Sequence, residues 1–256
     1  MTAQNIFEHP LNERMRAFLR LSELFQRAQH FLIGVSEHDT HCALLTLIEL
    51  SELTGRVDLK RELMKELERQ NANLTRLART PDIDTDKLKA VLEQQKVLIQ
   101  RLHGLSGPIG AVIKNNEFLA AIAQRSKIPG GLCEFDLPML HHWLRQPIED
   151  RRDMLLNWLT PFAMVQEGIG LILDLIRKSA GSVPLKAEGG FYQQNLDSHH
   201  PFQLIRVSLP DDATVFPEVS AGKQRFTIRF LELNLDDGRT NQVAEDIDFG
   251  LACCAL

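Results

Sequence analysis

The apolar positions of this chain change their spacing once, near residue 185. Upstream, Leu11, Met15, Phe18 and Leu21/Phe25 recur at the three-to-four step of an amphipathic helix, with Pro10 expected in its first turn. Leu44, Leu47, Ile48 and Leu53 predict a second helix closed by Gly55. From Asp58, an expected N-cap, Leu59, Leu63, Leu67, Leu74 and Leu77 mark one face of a long third helix, and Lys60, Glu62, Lys65, Glu66, Glu68 and Arg69 crowd the rest. Thr80-Pro81-Asp82 breaks it, and Leu88, Val91, Leu92, Gln95, Leu98/Ile99 and Leu102 predict a partner helix starting near Asp84. Twenty helical residues span about 30 Å, so the pair should form an extended antiparallel hairpin. Gly104, Gly107 and Gly110 make the next break, and residues 115–127 read as helix up to Ile128-Pro129-Gly130-Gly131. Residues 132–136 are too short for a helix and are expected as a lone strand joining the later sheet. Helices resume after Pro138, interrupted at Pro147 and Pro161; residues 162–176 are apolar nearly all round, which predicts burial on most sides.

Beyond Gly181 the period becomes two. Ile205, Val207 and Leu209 alternate with their neighbours, residues 223–231 form the clearest strand, and Ile247, Phe249 and Leu251 alternate near the end. Ala221-Gly222 and Asp236-Asp237-Gly238 mark turns. Three to five antiparallel strands give a small sheet with one face buried, and the helical part is expected to cover it. The predicted class is therefore α+β: a helical bundle domain with long antiparallel helices over 1–185, residues 132–136 adding a strand, and a small antiparallel β-sheet domain over 186–256.

The strand at 223–231 has two chemically opposite faces. Phe226, Ile228 and Phe230 fall on one, and Lys223, Arg225, Thr227 and Arg229 on the other. Same-face neighbours lie roughly 6–7 Å apart, so these cations repel one another unless an acidic group sits over them. That group belongs either to a partner or to this protein, as a salt-bridge ladder on a solvated strand face.

Charge narrows the class of partner. Residues 187–256 hold 5 Lys/Arg against 11 Asp/Glu, and the whole chain is net −5 with one Tyr and two Trp. An extended basic field and interleaved stacking aromatics, which nucleic-acid binding requires, are missing. A short acidic or carboxylate-bearing segment of another protein fits the localised cations better. The first ten residues lack a basic region followed by an apolar run, and no uninterrupted apolar run reaches the roughly 18 residues of a membrane span, so neither leader nor membrane contact is expected. Cys42, Cys133, Cys253 and Cys254 show no metal or redox spacing and predict reduced thiols in a cytoplasmic protein.

Catalytic patterns are thin. Gly222-Lys223 lacks the rest of a phosphate loop, and Gly104, Gly107 and Gly110 lack the strand-loop-helix setting of a dinucleotide site. His141-His142 and His199-His200 are adjacent rather than at the i, i+4 spacing of a helical metal pair. No serine sits in G-x-S-x-G. The residues predict a non-enzymatic binding or scaffold protein with no cofactor and no metal. The enzyme alternative requires His141 or His199 to meet an acidic partner in one cleft.

Several blocks, in order, carry a resemblance that spans the chain: residues 6–13 (IFEHPLNE), 62–69 (ELMKELER), 128–138 (IPGGLCEFDLP), 173–177 (LDLIR), 190–193 (GFYQ), 225–230 (RFTIRF) and 248–254 (DFGLACC). Together they resemble the ZapD family of cytoplasmic bacterial cell-division proteins. The resemblance implies a helical domain joined to a β domain, and a homodimer without enzymatic activity. It also implies binding to the C-terminal tail of the tubulin-like protein FtsZ, bundling of its filaments, and recruitment to the division ring at mid-cell. A basic pocket makes that contact in the family. Arg225 and Arg229 stand at its strand positions, with Lys223 beside them, Arg56 at a further basic position and Lys114 at another, lysine replacing arginine. Asn116 and Glu117 stand where the family can carry one more basic residue. The alternative without the resemblance is another cytoplasmic scaffold that recognises an acidic or carboxylate-bearing peptide.

Overall fold

The computed structural model describes residues 4–56, 58–77, 85–105, 107, 109–110, 113, 115–197 and 200–256, with the side chains of Gln4, Arg56 and Leu77 outside that description. The fold is α+β and divides into two compact units, residues 20–172 and residues 1–19 with 173–256. Two helices, α1 (Glu13–Ile33) and the last one, cross the division in sequence.

The first unit is helical. After α1 come α2 (Glu37–Arg56), α3 (Leu59–Leu77), α4 (Thr85–Gly104), α5 (Glu117–Arg125), α6 (Pro138–Leu144), α7 (Ile148–Leu159), a 3-10 turn at Thr160–Phe162, and α8 (Ala163–Lys178). Helices α2 and α3 bury the stripes their period predicts, Leu44, Leu47 and Ile48 on α2 and Leu63 and Leu67 on α3; α8, expected to be buried on most sides, buries Val165, Ile169 and Ile172 and exposes Glu167, Gly170 and Asp174. Asp58 caps α3, its Oδ1 accepting from Arg61 N at 3.3 Å. Helices α3 and α4 run antiparallel: Asn71 donates to Gln95 Oε1 at 3.2 Å, while Lys60, eleven residues earlier, donates to Leu105 O at 2.6 Å, ten residues later. Their expected break at 80–82 lies outside the described residues. A Cβ on Gly168 would stand 3.1 Å from both Leu63 methyls, so the missing side chain lets α8 approach α3 closely. The stretch 148–178 is long and apolar enough to cross a membrane by composition. In the structure it is two helices joined by the 3-10 turn, and α7 opens with charged residues at 149–153.

Among the described residues, the second unit holds eight strands in two antiparallel sheets. One has the order β1 (Gln4–Pro10), β4 (Phe202–Pro210), β8 (Ile247–Ala255), β2 (Val183–Ala187). The other runs β3 (Phe191–Asn195), β6 (Arg225–Leu233), β5 (Val215–Ala221), with β7 (Thr240–Gln242) paired to the end of β6. Ile205, Val207, Leu209, Phe249 and Leu251 of the first pack with Phe226, Ile228 and Phe230 of the second. Phe230 and Phe249 meet at 5.1 Å between ring centres, and Tyr192 stands edge-on to Phe249 at 5.3 Å. The face expected to need a helical cover is thus covered by another sheet. The opposite face of the first sheet carries Glu8, which accepts from Arg177 Nε and Nη2 of α8 at 2.8 and 2.7 Å and from Arg206 Nε of β4 at 3.0 Å. That pins β1, β4 and the end of α8 together.

Three expectations are corrected. Pro10 ends β1 instead of opening α1, whose first turn is capped by Asn12 Oδ1 accepting from Met15 N at 2.9 Å. Residues 132–136 are consecutive turns instead of a strand, because Gly130 takes φ +72° and the chain closes on itself through Cys133 N to Gly130 O and Asp136 N to Cys133 O. The sheets are not confined to 186–256: β1 comes from the other end of the chain and β2 begins at Val183.

Candidate functional site

The outward face of the second sheet is built rung by rung from strand register. Phe191, Arg229 and Glu218 lie directly opposite one another across β3, β6 and β5, followed by Gln193, Thr227 and Ser220, then by Asn195 and Arg225. Burial of Phe226, Ile228 and Phe230 fixes which way β6 faces, since a slip by one residue would put three large apolar side chains in water. Both arginines are therefore held outward on a strand paired along both edges.

Their surroundings differ. Arg229 Nη2 donates to Glu218 Oε2 at 2.5 Å, with both side chains about half exposed (53% and 51%). Arg225 is exposed and, among the described residues, has no carboxylate within 4.0 Å. Phe191, 42% exposed, places an aromatic ring beside Arg229. Among the described residues the face offers one guanidinium without a carboxylate partner, one engaged guanidinium, side-chain amides and hydroxyls between them, and an apolar surface at one end. Such a set can hold carboxylates through paired N–H donors and cover an apolar side chain.

Lys223 is exposed but precedes β6. Gly222 N donates to Arg225 O at 2.9 Å, closing a turn around Lys223 and Gln224, so the cationic strand begins at Arg225. Arg56 is the last residue of α2 in the helical unit, and its side chain lies outside the described residues, as does all of Lys114. Glu218 was missed from sequence, although the signal was present: counting back from the Ala221-Gly222 turn, with Ala221 opposite Phe226, puts Glu218 opposite Arg229.

Of the residues named for catalysis, only His141 is described, and it sits on the surface, as does His200. His141 Nε2 lies 3.7 Å from Glu134, and His200 Nδ1 lies 2.9 Å from Asp197 Oδ2, each exposed; His199 is outside the described residues. Among the described residues, no three His, Cys, Asp or Glu side chains gather to hold a metal ion. Lys60, on the charged face of α3, is tied to the Leu105 and His103 carbonyls that end α4.

Comparison with known proteins adds a second line. The family model described as ZapD: Cell division protein matches residues 19–229, ending at Arg229. A protein of Methylococcus capsulatus named Cell division protein ZapD is 45% identical over 256 residues, the whole of both chains. One of the same name from Cupriavidus necator is 41% identical over 250 residues, 97% of this chain and 98% of its own. A third, from Aromatoleum aromaticum, is 40% identical over 258 residues and also spans both chains.

Proposed function

Because the chain belongs to the ZapD family of cell division proteins, we propose that it binds the C-terminal tail of FtsZ through the β6 face and, as a homodimer, cross-links FtsZ filaments at the division ring. It works in the cytoplasm as a binding protein, without catalysis or cofactor. The observation that carries this reading is Arg225: an exposed guanidinium with no carboxylate partner among the described residues, on a strand paired along both edges, near a second arginine and an exposed phenyl ring.

Arginine suits the task because its planar fork grips a carboxylate through two parallel hydrogen bonds and stays charged at any physiological pH. One exposed pair gives modest affinity, and a flexible tail loses conformational freedom on docking, which offsets part of it. Two such faces in a closed two-fold dimer restore binding by effective concentration when the partner is a polymer bearing many tails. Arg56 and Lys114 enter this proposal only as the further basic positions that the resemblance implies.

Co-sedimentation with FtsZ polymers, with and without the FtsZ tail, tests it. Arg225→Glu and Arg229→Glu should each weaken tail binding roughly tenfold, about 1.4 kcal/mol, and reduce bundling, while circular dichroism stays unchanged. Lys89→Glu, an exposed charge on α4, is the control and should bind normally. Lys60 is unsuitable for that purpose because replacing it removes the contacts at the end of α4. Folded arginine variants that bundle like the parent, or a Lys89 variant that fails equally, would refute the assignment.

A further inference from the structure

The Phe191–Arg229–Glu218 rung already holds a carboxylate where an acidic ligand would go. We infer that Glu218 is a specificity-determining residue, an internal competitor that occupies Arg229 in the unbound protein and sets how strongly this face takes acidic peptides. This rests on the reading of the β6 face as the tail-binding surface.

Register makes the competition unavoidable. Glu218 and Arg229 are cross-strand partners on β5 and β6, so neither backbone can move away without unpairing the sheet. Their side chains meet at 2.5 Å yet remain about half exposed, so the pair is held by position, not by burial, and exchanges with solvent readily. An arriving carboxylate has two routes to Arg229. It can displace Glu218, losing the contact already made, or it can bind the other edge of the guanidinium and sit within a few ångströms of a like charge. Either route weakens acidic ligands selectively. A neutral peptide that stacks on Phe191 and hydrogen-bonds Gln193 or Thr227 meets neither obstacle.

The asymmetry along the strand gives the two arginines different work. Arg225, four residues away on the same face, has no such competitor among the described residues and takes the first carboxylate. Arg229 adds its contact only to a ligand that carries a second acidic group at the right spacing and can outcompete Glu218. Isolated small anions gain little at Arg229, whereas a peptide with two spaced carboxylates gains at both, through effective concentration once the first is bound.

The test uses the full chain and a synthetic peptide of the FtsZ C-terminal tail, with a second peptide in which every Asp and Glu is replaced by Asn or Gln. Affinities are read by fluorescence anisotropy at low and at about 0.5 M salt. Glu218→Gln keeps size and hydrogen bonding but removes the charge, and should bind the acidic peptide threefold to tenfold tighter at low salt. The gain should fade at high salt, as screening requires, and be missing for the neutral peptide. Glu218→Ser should shift binding the same way, guarding against an effect peculiar to glutamine. Unchanged or weaker binding by both Glu218 variants, with Arg225→Glu and Arg229→Glu still impaired, overturns the competitor and leaves the face assigned. An equal gain for the neutral peptide overturns it as well. If none of the four variants alters binding, the face is not the site and the inference falls with it.

Discussion

Residue 250 has no room for a side chain. A Cβ there would fall 2.3 Å from Ser182 Oγ and 2.3 Å from Ser208 Oγ, between two hydroxyls that stand 3.3 Å apart. Gly250→Ala should destabilise the protein by about 1–3 kcal/mol, read as a lower urea midpoint with unchanged slope. Arg225→Ala, exposed and without a carboxylate partner among the described residues, should move the same midpoint by less than about 0.5 kcal/mol, a contrast between a strand of one sheet and a strand of the other. The cysteines at the end of β8 point to opposite sides: Cys254 is buried and Cys253 packs at the margin of the sandwich core. Burial, and secondarily Cys254, push the Cys253 thiol up to about 11. At pH 8 it should therefore react with iodoacetamide far more slowly in the native protein than in urea, as peptide mass spectrometry will record.

At the scale of elements, α2 carries a pH-sensitive position. Burial, and then the charge of His38, hold His41 below the usual imidazole value of 6.5, and its Nε2 has no hydrogen-bond partner among the described residues. A lowered folded-state value means the unfolded chain takes up the proton first. Stability is then full above about pH 6.5 and falls as pH drops through that value towards the folded one. His41→Leu should flatten this part of the stability-versus-pH curve between pH 7 and 5. His9, lowered first by burial and then by Arg16, should keep its own share. Elements also differ in how openly the sequence declares them. The long helices show because Leu63, Leu67 and Leu74 repeat on one face with charges elsewhere. Strands β1, β2 and β5 do not show: each carries a proline, Pro10, Pro184 or Pro217, and each is an edge strand, where a missing N–H costs no ladder bond. For the site, alternation within β6 reveals Arg225 and Arg229, but their different circumstances depend on β5, whose identity as the neighbour is a matter of pairing.

At the scale of the whole molecule, the proposed cross-linking requires a dimer. Light scattering at micromolar concentration should give twice the 29.1 kDa chain mass, and a value near 29.1 kDa would remove the two-site mechanism while leaving tail binding intact. The division into two units was only partly legible. The change of period near residue 185 separates helix from strand along the chain, but compactness follows pairing, and pairing draws the first nineteen residues to the sheets. Glu8 joins Arg206 across 198 residues of sequence. During synthesis at about 5–20 residues per second, β1 waits roughly 10–40 seconds for β4 to emerge. Residues 20–172 are made only some 30 residues, roughly 2–6 seconds, before β4 begins at Phe202, so the helical unit can start to mature while the strand ahead of it stays without a partner. Newly made chains should consequently pass through a stage when this first strand is open to chaperones and to the matching strands of neighbouring nascent copies.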